Sequence, residues 1–222
     1  MPPCSSNQRP RPWHKPPNNA TMMMTPRPDI PKPKLATLLL AAGESARFGG
    51  RKQLADINGK PMIEHALDAL SGMPTSDTFV VLGAYGDEIA PRLDNGVILI
   101  TNDNWATGMG SSIACGMTKI ATNGGDDGGL IALCDQVNLT SEDYTRLITA
   151  FDGKQIVATR HQDGLGVPAI FPKSVFDDLQ SLVGPIGARK IIDRHADKVT
   201  ALSLANAALD IDTQDDLKQV RD

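Results

Sequence analysis

Leu35-Ala36-Thr37-Leu38-Leu39-Leu40-Ala41-Ala42-Gly43-Glu44-Ser45-Ala46-Arg47-Phe48-Gly49-Gly50-Arg51-Lys52 changes character half-way. The first eight residues are a near-continuous apolar run of strand length. Such a run predicts a strand covered on both faces, as in a parallel sheet with helices above and below. The second half is a glycine-bearing loop that ends in cations. Small residues at Ala41, Ala42 and Gly43 let a ligand lie against the backbone. Glycines allow positive φ and expose successive N–H groups that suit an anion. Arg47 and Lys52 bring two positive charges to the same turn, which suits a polyphosphate. A solvated surface loop is the alternative reading of the same residues.

Downstream the pattern repeats. Pro61 opens a helix with Ile63, Ala66, Leu67 and Leu70 on one face. Strands are expected at Thr78 to Leu82, Val97 to Ile100, Leu130 to Cys134 and Ile156 to Thr159. Helices fall between them, around Asp87 to Leu93, over Ser111 to Ala121, and from the capping signal Thr140-Ser141-Glu142-Asp143 to about Phe151. Beyond Arg160 the alternation weakens. Gly166 to Phe171, Val199 to Leu204 and Leu209 to Ile211 read as strands. Val175 to Leu182, Ala188 to Arg194 and Asp215 to Val220 read as helices. Alternating apolar strands and helices predict an α/β, Rossmann-like fold, a mainly parallel sheet with helices on both faces. Ligands of such sheets bind beyond the carboxyl ends of the strands. The loops starting at Gly43, Gly83, Asn102 and Asp135 are therefore expected to meet at one crevice.

Upstream the composition is different. Residues 1–34 hold six basic residues against Asp29 alone, a net charge of +5, so the remainder carries −9 of the chain's total of −4. Ten of the 16 prolines lie there too, and a segment so rich in proline neither holds a helix nor buries apolar surface. Residues 1–33 are read as a disordered basic tail and residues 34–222 as one domain. The tail has no apolar core of a secretory signal.

Over all 222 residues, 41% are hydrophobic and 22% charged, enough for a real core. No run approaches the roughly 18 apolar residues of a membrane span. The acidic balance and 4% aromatics argue against a nucleic-acid binder. Cys4, Cys115 and Cys134 are too few and too scattered for a disulfide framework or a zinc site, and a reducing, cytoplasmic setting is expected. Two familiar phosphate loops are excluded by spelling. Lys52 follows Arg51 and precedes Gln53, so no P-loop is present. Gly43 has Ser45 two positions on, so no dinucleotide fingerprint is present.

Leu39 to Lys52 resembles the signature L-A-A-G-x-S-x-R-[MF]-G-x-x-K of the MobA-like nucleotidyltransferases, and Gly59-Lys60-Pro61 continues the likeness. Later segments resemble the molybdenum cofactor cytidylyltransferase branch. They are Asn102, Trp105, Gly108, Ser111 and Ser112; Leu133-Cys134-Asp135-Gln136; Gly166 to Phe171; Gly187-Ala188-Arg189; and Leu209 to Thr213 with Asp215 to Leu217. Val137, Pro185 and Gln214 depart from that branch's pattern.

The resemblance implies a fold of the nucleotide-diphospho-sugar-transferase type. It also implies transfer of a nucleotidyl group, CMP from CTP being favoured, to the phosphate of molybdopterin, with delivery to a molybdoenzyme or its chaperone. No nucleic acid or membrane partner is expected. A guanylyltransferase, or a cytidylyltransferase for another phosphorylated small molecule, stays open. So does a nucleotide-binding module or nicotinamide oxidoreductase. The implied site has Arg47 and Lys52 on the triphosphate, and Asp135 with Asp212 as ligands of Mg²⁺, which prefers one or two carboxylates plus phosphates and waters. Asp210 is the alternative to Asp212. Ala41, Ala42, Gly43, Gly83, Gly108, Gly110, Ser111 and Ser112 are expected to frame the nucleotide. Arg189 is expected either to meet the acceptor or to form a surface salt bridge.

Overall fold

The computed structural model of the chain describes residues 32–93, 96–208 and 210–220. The expected tail lies almost wholly outside the described residues. In chain order the elements are β1 (Leu35–Ala41), the short hairpin β2 (Asp56–Ile57) and β3 (Lys60–Pro61), α1 (Met62–Leu70), β4 (Thr78–Leu82), α2 (Gly86–Ile89), β5 (Ile98–Thr101), α3 (Met109–Asn123) and β6 (Gly128–Leu133). The second half runs α4 (Ser141–Ala150), β7 (Ile156–His161), β8 (Gly164–Pro172), α5 (Phe176–Gln180), α6 (Arg189–Arg194), β9 (Val199–Leu202) and α7 (Gln214–Val220).

The described residues form a seven-stranded sheet in the order β5-β4-β1-β6-β8-β7-β9. β5, β4, β1 and β6 run parallel, as does β9 beside β7. β8 alone runs antiparallel, against both β6 and β7. The sheet is thus mixed and mostly parallel. The apolar run of β1 is explained by its position at the centre. Ala36, Leu38 and Leu40 enter the core on one face, with Ile113 and Met117 of α3. Leu35, Leu39 and Ala41 enter the other, with Ile63 of α1 and Leu147 of α4. Gly116 lets α3 lie close, since a Cβ there would fall 2.4 Å from a methyl of Leu38.

A third, smaller cluster sits off the sheet and joins Phe48, Ile57 and Met62 to Ile211 and Leu217. It corrects one expectation. Asp210 and Ile211 form no strand, while Leu209 lies outside the described residues. The segment is instead tied by Ile211 N–H to the Asp135 carbonyl at 3.1 Å and by burial of the Ile211 side chain. Three residues with an acid in the middle offer too little apolar surface to join the sheet.

Candidate active site

β1 and β6 are neighbours and parallel, so the loops that leave Ala41 and Leu133 emerge at the same edge. A cavity of about 400 Å³ opens there. Ala41, Ala42, Gly43, Arg47, Lys52, Gly108, Ser112, Asp135 and Asp212 all line it. A hollow of about 480 Å³ lies at the amino ends of β4 and β5, with Glu64, Asp68 and Asp77 facing Arg92 as its one cation among the described residues. An anionic ligand has little to bind there, and the smaller cavity holds the charged cluster.

Lys52 sits at the centre of that cluster, its side chain only 9% exposed. It starts a single 3₁₀ turn, Lys52–Leu54, that sequence reading missed. Its Nζ donates to Asp135 Oδ2 at 2.7 Å and to Asp212 Oδ1 at 3.3 Å. The Arg47 guanidinium pairs with Asp212 Oδ2 at 3.1 Å. Two carboxylates held by one nitrogen lie no farther apart than the sum of those first two distances, so residues 77 positions apart in sequence meet at one point. Burial alone would push the Lys52 ammonium down. Attraction to Asp135, and then to Asp212, outweighs it and raises the group above the ordinary lysine value. Lys52 therefore stays charged. Asp135 Oδ1 is buried and has no partner among the described residues. Asp210 stands near with its side chain exposed: partial loss of hydration first, then the charge of Asp135, pushes its carboxyl up, against a hydrogen bond from Gln136. Neither Arg47 nor Lys52 pairs with it in the way both pair with Asp212.

The loop after β1 is held from behind by Gln53, a residue the sequence did not single out. Its Nε2 donates to the carbonyls of Ala41 at 3.1 Å and of Gly43 at 2.7 Å. Phe48, Gly49 and Gly50 all turn their N–H groups back onto the Ser45 carbonyl. The open side of the loop is consequently Gly43 to Arg47, and the glycines at 49 and 50, both at positive φ, close the turn.

Five expected contact residues make other contacts within the protein. Gly83 supports Ala42: a Cβ there would fall 2.5 Å from the Ala42 carbonyl and 2.6 Å from Trp105 Cβ. Gly108, at φ 125°, lies against Gly184 as well as lining the cavity. The Gly110 N–H is committed to the Gly184 carbonyl at 3.0 Å, so it is not free for an anion. The Ser111 hydroxyl bonds the Asn104 and Gly108 carbonyls and accepts from Asn102, as Ser112 does. Asn102, 4% exposed, is the organiser of that loop. Arg189 is drawn off as well. It pairs with the Asp163 carboxylate and carbonyl, at the rim of an apolar slot of about 130 Å³ that shares Leu40, Met109 and Leu133 with the main cavity. Cys134 is buried, and burial first, then Asp135, pushes its thiol up to about 12, so it is no nucleophile.

A family model described as "MobA-like NTP transferase domain" matches residues 37–199, well over half of the chain. The chain belongs to the MobA-like NTP transferase domain family. This MobA-like domain is 27% identical over 182 residues to "Bifunctional protein GlmU" of Halorhodospira halophila, covering 80% of this chain and 37% of that one. It is 30% identical over 124 residues to "Nicotine blue oxidoreductase" of Paenarthrobacter nicotinovorans, covering 55% and 59%. It thus spans from about a third to three-fifths of those curated relatives. A crystal structure of Rv0371c from Mycobacterium tuberculosis, in complex with manganese, shares the fold at a TM-score of 0.70 and 22% identity, over 84% of this chain and 97% of that one. The MobA-like domain matched ends at Lys198-Val199, before Asp212. The segment that brings the second carboxylate therefore lies outside the matched region. The pair of carboxylates, with one oxygen unpartnered, is a hard-oxygen donor set that fits a divalent cation such as Mg²⁺.

Proposed function

We propose that the protein is a nucleotidyltransferase that moves CMP from CTP to the phosphate of molybdopterin, or of its metal-loaded form, and releases pyrophosphate. The observation that carries nucleotidyl transfer is the meeting of Arg47 and Lys52 with Asp135 and Asp212 at the carboxyl edge of the sheet. An acceptor phosphate oxygen attacks the α-phosphorus, and the bond to the β-phosphate oxygen breaks. The acceptor phosphate is already an anion, so no general base is needed. Positioning and charge neutralisation carry the rate. Arg47 and Lys52 hold the triphosphate against the loop Ala41–Gly43 and neutralise charge that develops on the leaving pyrophosphate. Asp135 and Asp212 would hold Mg²⁺, which when bound supplies further neutralisation at the phosphates.

CTP and molybdopterin are favoured by the segments around Asn102, Asp135, Gly166, Gly187 and Asp210, which follow the cytidylyltransferase branch. Transfer of GMP, or of CMP to another phosphorylated acceptor, is the neighbouring reading. A nicotinamide oxidoreductase is a second reading, and the name of the Paenarthrobacter relative favours its oxidoreductase part alone; the charged cluster around Lys52 speaks for phosphoryl chemistry. A cytoplasmic site of action with delivery to a molybdoenzyme goes with the favoured reading. No helix among the described residues is long and apolar enough to cross a membrane.

The test is a thermal-shift panel of CTP, GTP, ATP and NAD with Mg²⁺, followed by pyrophosphate release with molybdopterin. A ligand at 100 times its Kd adds about 2.7 kcal/mol. For a domain near this size that is a shift of roughly 5–10 °C. CTP should give the largest shift. A shift with NAD and none with any triphosphate would overturn the reading.

A further inference from the structure

We infer that Lys52 occupies the place of the metal until a triphosphate draws it away, so that cation and nucleotide bind in mutual dependence. The inference rests on the proposed metal pair Asp135 and Asp212 and goes beyond it by assigning Lys52 a second role. The ammonium lies between the two carboxylates, 2.7 Å from one and 3.3 Å from the other. It is a compact point charge with three donors and takes the same oxygens that a small divalent cation needs. Arg47 completes the arrangement on the far oxygen of Asp212. Two positive charges thus balance the two carboxylates of the pair, and a free cation that arrives there meets carboxylates already neutralised by Lys52 and Arg47.

A cation arriving alone must evict Lys52. The side chain is 9% exposed, and without a new anion its ammonium would be left buried and unpaired, which is costly. A triphosphate changes the balance. It offers anionic oxygens to Lys52 and Arg47 at the mouth of the cavity that both residues line. The carboxylates are then released to the metal. Every charge has a partner before and after, and only the partners change. Coupling of this kind is reciprocal: whatever nucleotide does for metal affinity, metal does for nucleotide affinity. The orphaned Asp135 Oδ1 is the part of the pair that Lys52 does not satisfy.

The experiment is Mn²⁺ titration of the nucleotide-free protein, followed by electron paramagnetic resonance at one pH. Wild type, Lys52→Met, Arg47→Gln and Asp135→Asn are compared. Lys52→Met should bind Mn²⁺ about tenfold or more tightly than wild type, within the usual range of such couplings, although it loses turnover. Arg47→Gln, altered at an exposed position, should gain severalfold and serves if Lys52→Met does not fold. Asp135→Asn should bind Mn²⁺ weakest of the four. Affinity in Lys52→Met no tighter than wild type, with Asp135→Asn still impaired, would overturn the exchange and leave the metal pair standing. If Lys52→Met does not fold, no gain in Arg47→Gln does the same. Equal binding by Asp135→Asn and wild type would remove the metal pair, and the inference with it.

Discussion

Lys52 is deeply buried and its ammonium is held by two carboxylates, and that pairing makes it the residue on which the site turns. Lys52→Ala is expected to lower turnover with a nucleoside triphosphate by roughly 10²-fold or more, because a charge contact in a shielded site is worth several kcal/mol in the transition state. Steady-state kinetics on the folded variant checks it; unaltered turnover would remove the loop from the mechanism. Asp135→Ala and Asp212→Ala should each abolish metal-dependent transfer, and the double variant should be little worse than either, since the two act as a unit. Gly83→Ala should weaken nucleotide binding or destabilise the fold, because its methyl would overlap the Ala42 carbonyl and Trp105. A thermal melt and a CTP titration read the two effects separately. Arg47, Lys52 and Asp135 could be singled out in the sequence because two cations share one glycine-bearing loop and the acid follows a buried apolar strand, and the structure lines one cavity with all three. Gln53 could not. A neutral amide beside a lysine says nothing until the carbonyls of Ala41 and Gly43 are seen beneath it.

At the scale of elements, local chemistry was read best where a side chain caps a helix. The signal at Thr140 to Asp143 is realised as a reciprocal capping box at the start of α4. Thr140→Ala should cost about 1 kcal/mol, read as a lower denaturant midpoint at unchanged slope. Burial would raise the Asp143 carboxyl, but hydrogen bonds from Asn206 and from the Thr140 N–H and hydroxyl outweigh it and hold the group below the ordinary carboxylate value. A depressed folded value means that the contribution is fully present above the unfolded value of about 3.9 and is lost as pH falls through the folded one. The stability gap between wild type and Asp143→Asn should therefore be constant near neutrality and close as pH drops below about 4. Equal gaps at pH 7 and pH 3 would contradict it. A similar carboxylate, Asp216, accepts from the N–H groups of Asp212 and Thr213 and fixes the turn before α7. Strand direction was harder to read. The apolar character of β8 carries no direction, and only the two residues between His161 and Gly164 reveal an antiparallel return.

For the whole molecule, the prediction concerns its beginning. Lys34 donates its N–H to Asp127 and accepts from the N–H groups of Asp127 and Gly128, so the folded unit has an anchor there. A chain starting at Lys32 is expected to keep its melting temperature and its turnover; loss of either would make residues 1–31 part of the fold or the site. The mostly parallel sheet was legible because each strand carries its own apolar run. The closure by Ile211 and Leu217 was not, because its partners Phe48, Ile57 and Met62 lie some 150 residues earlier and form a cluster too small to leave a period in the sequence.

That distance has a consequence in time. A ribosome delivers Arg47 and Lys52 early, Asp135 after most of the central strands, and Asp212 only after β9. The nascent chain therefore has its cations and one carboxylate well before the turn that brings the second. During that interval only one of the two acids that hold Lys52 in the finished fold has been made, and the acid that pairs with Arg47 has not. Vectorial synthesis thus builds the cradle first and its latch last, so that a chain still being made holds the outline of the site without the means to close it.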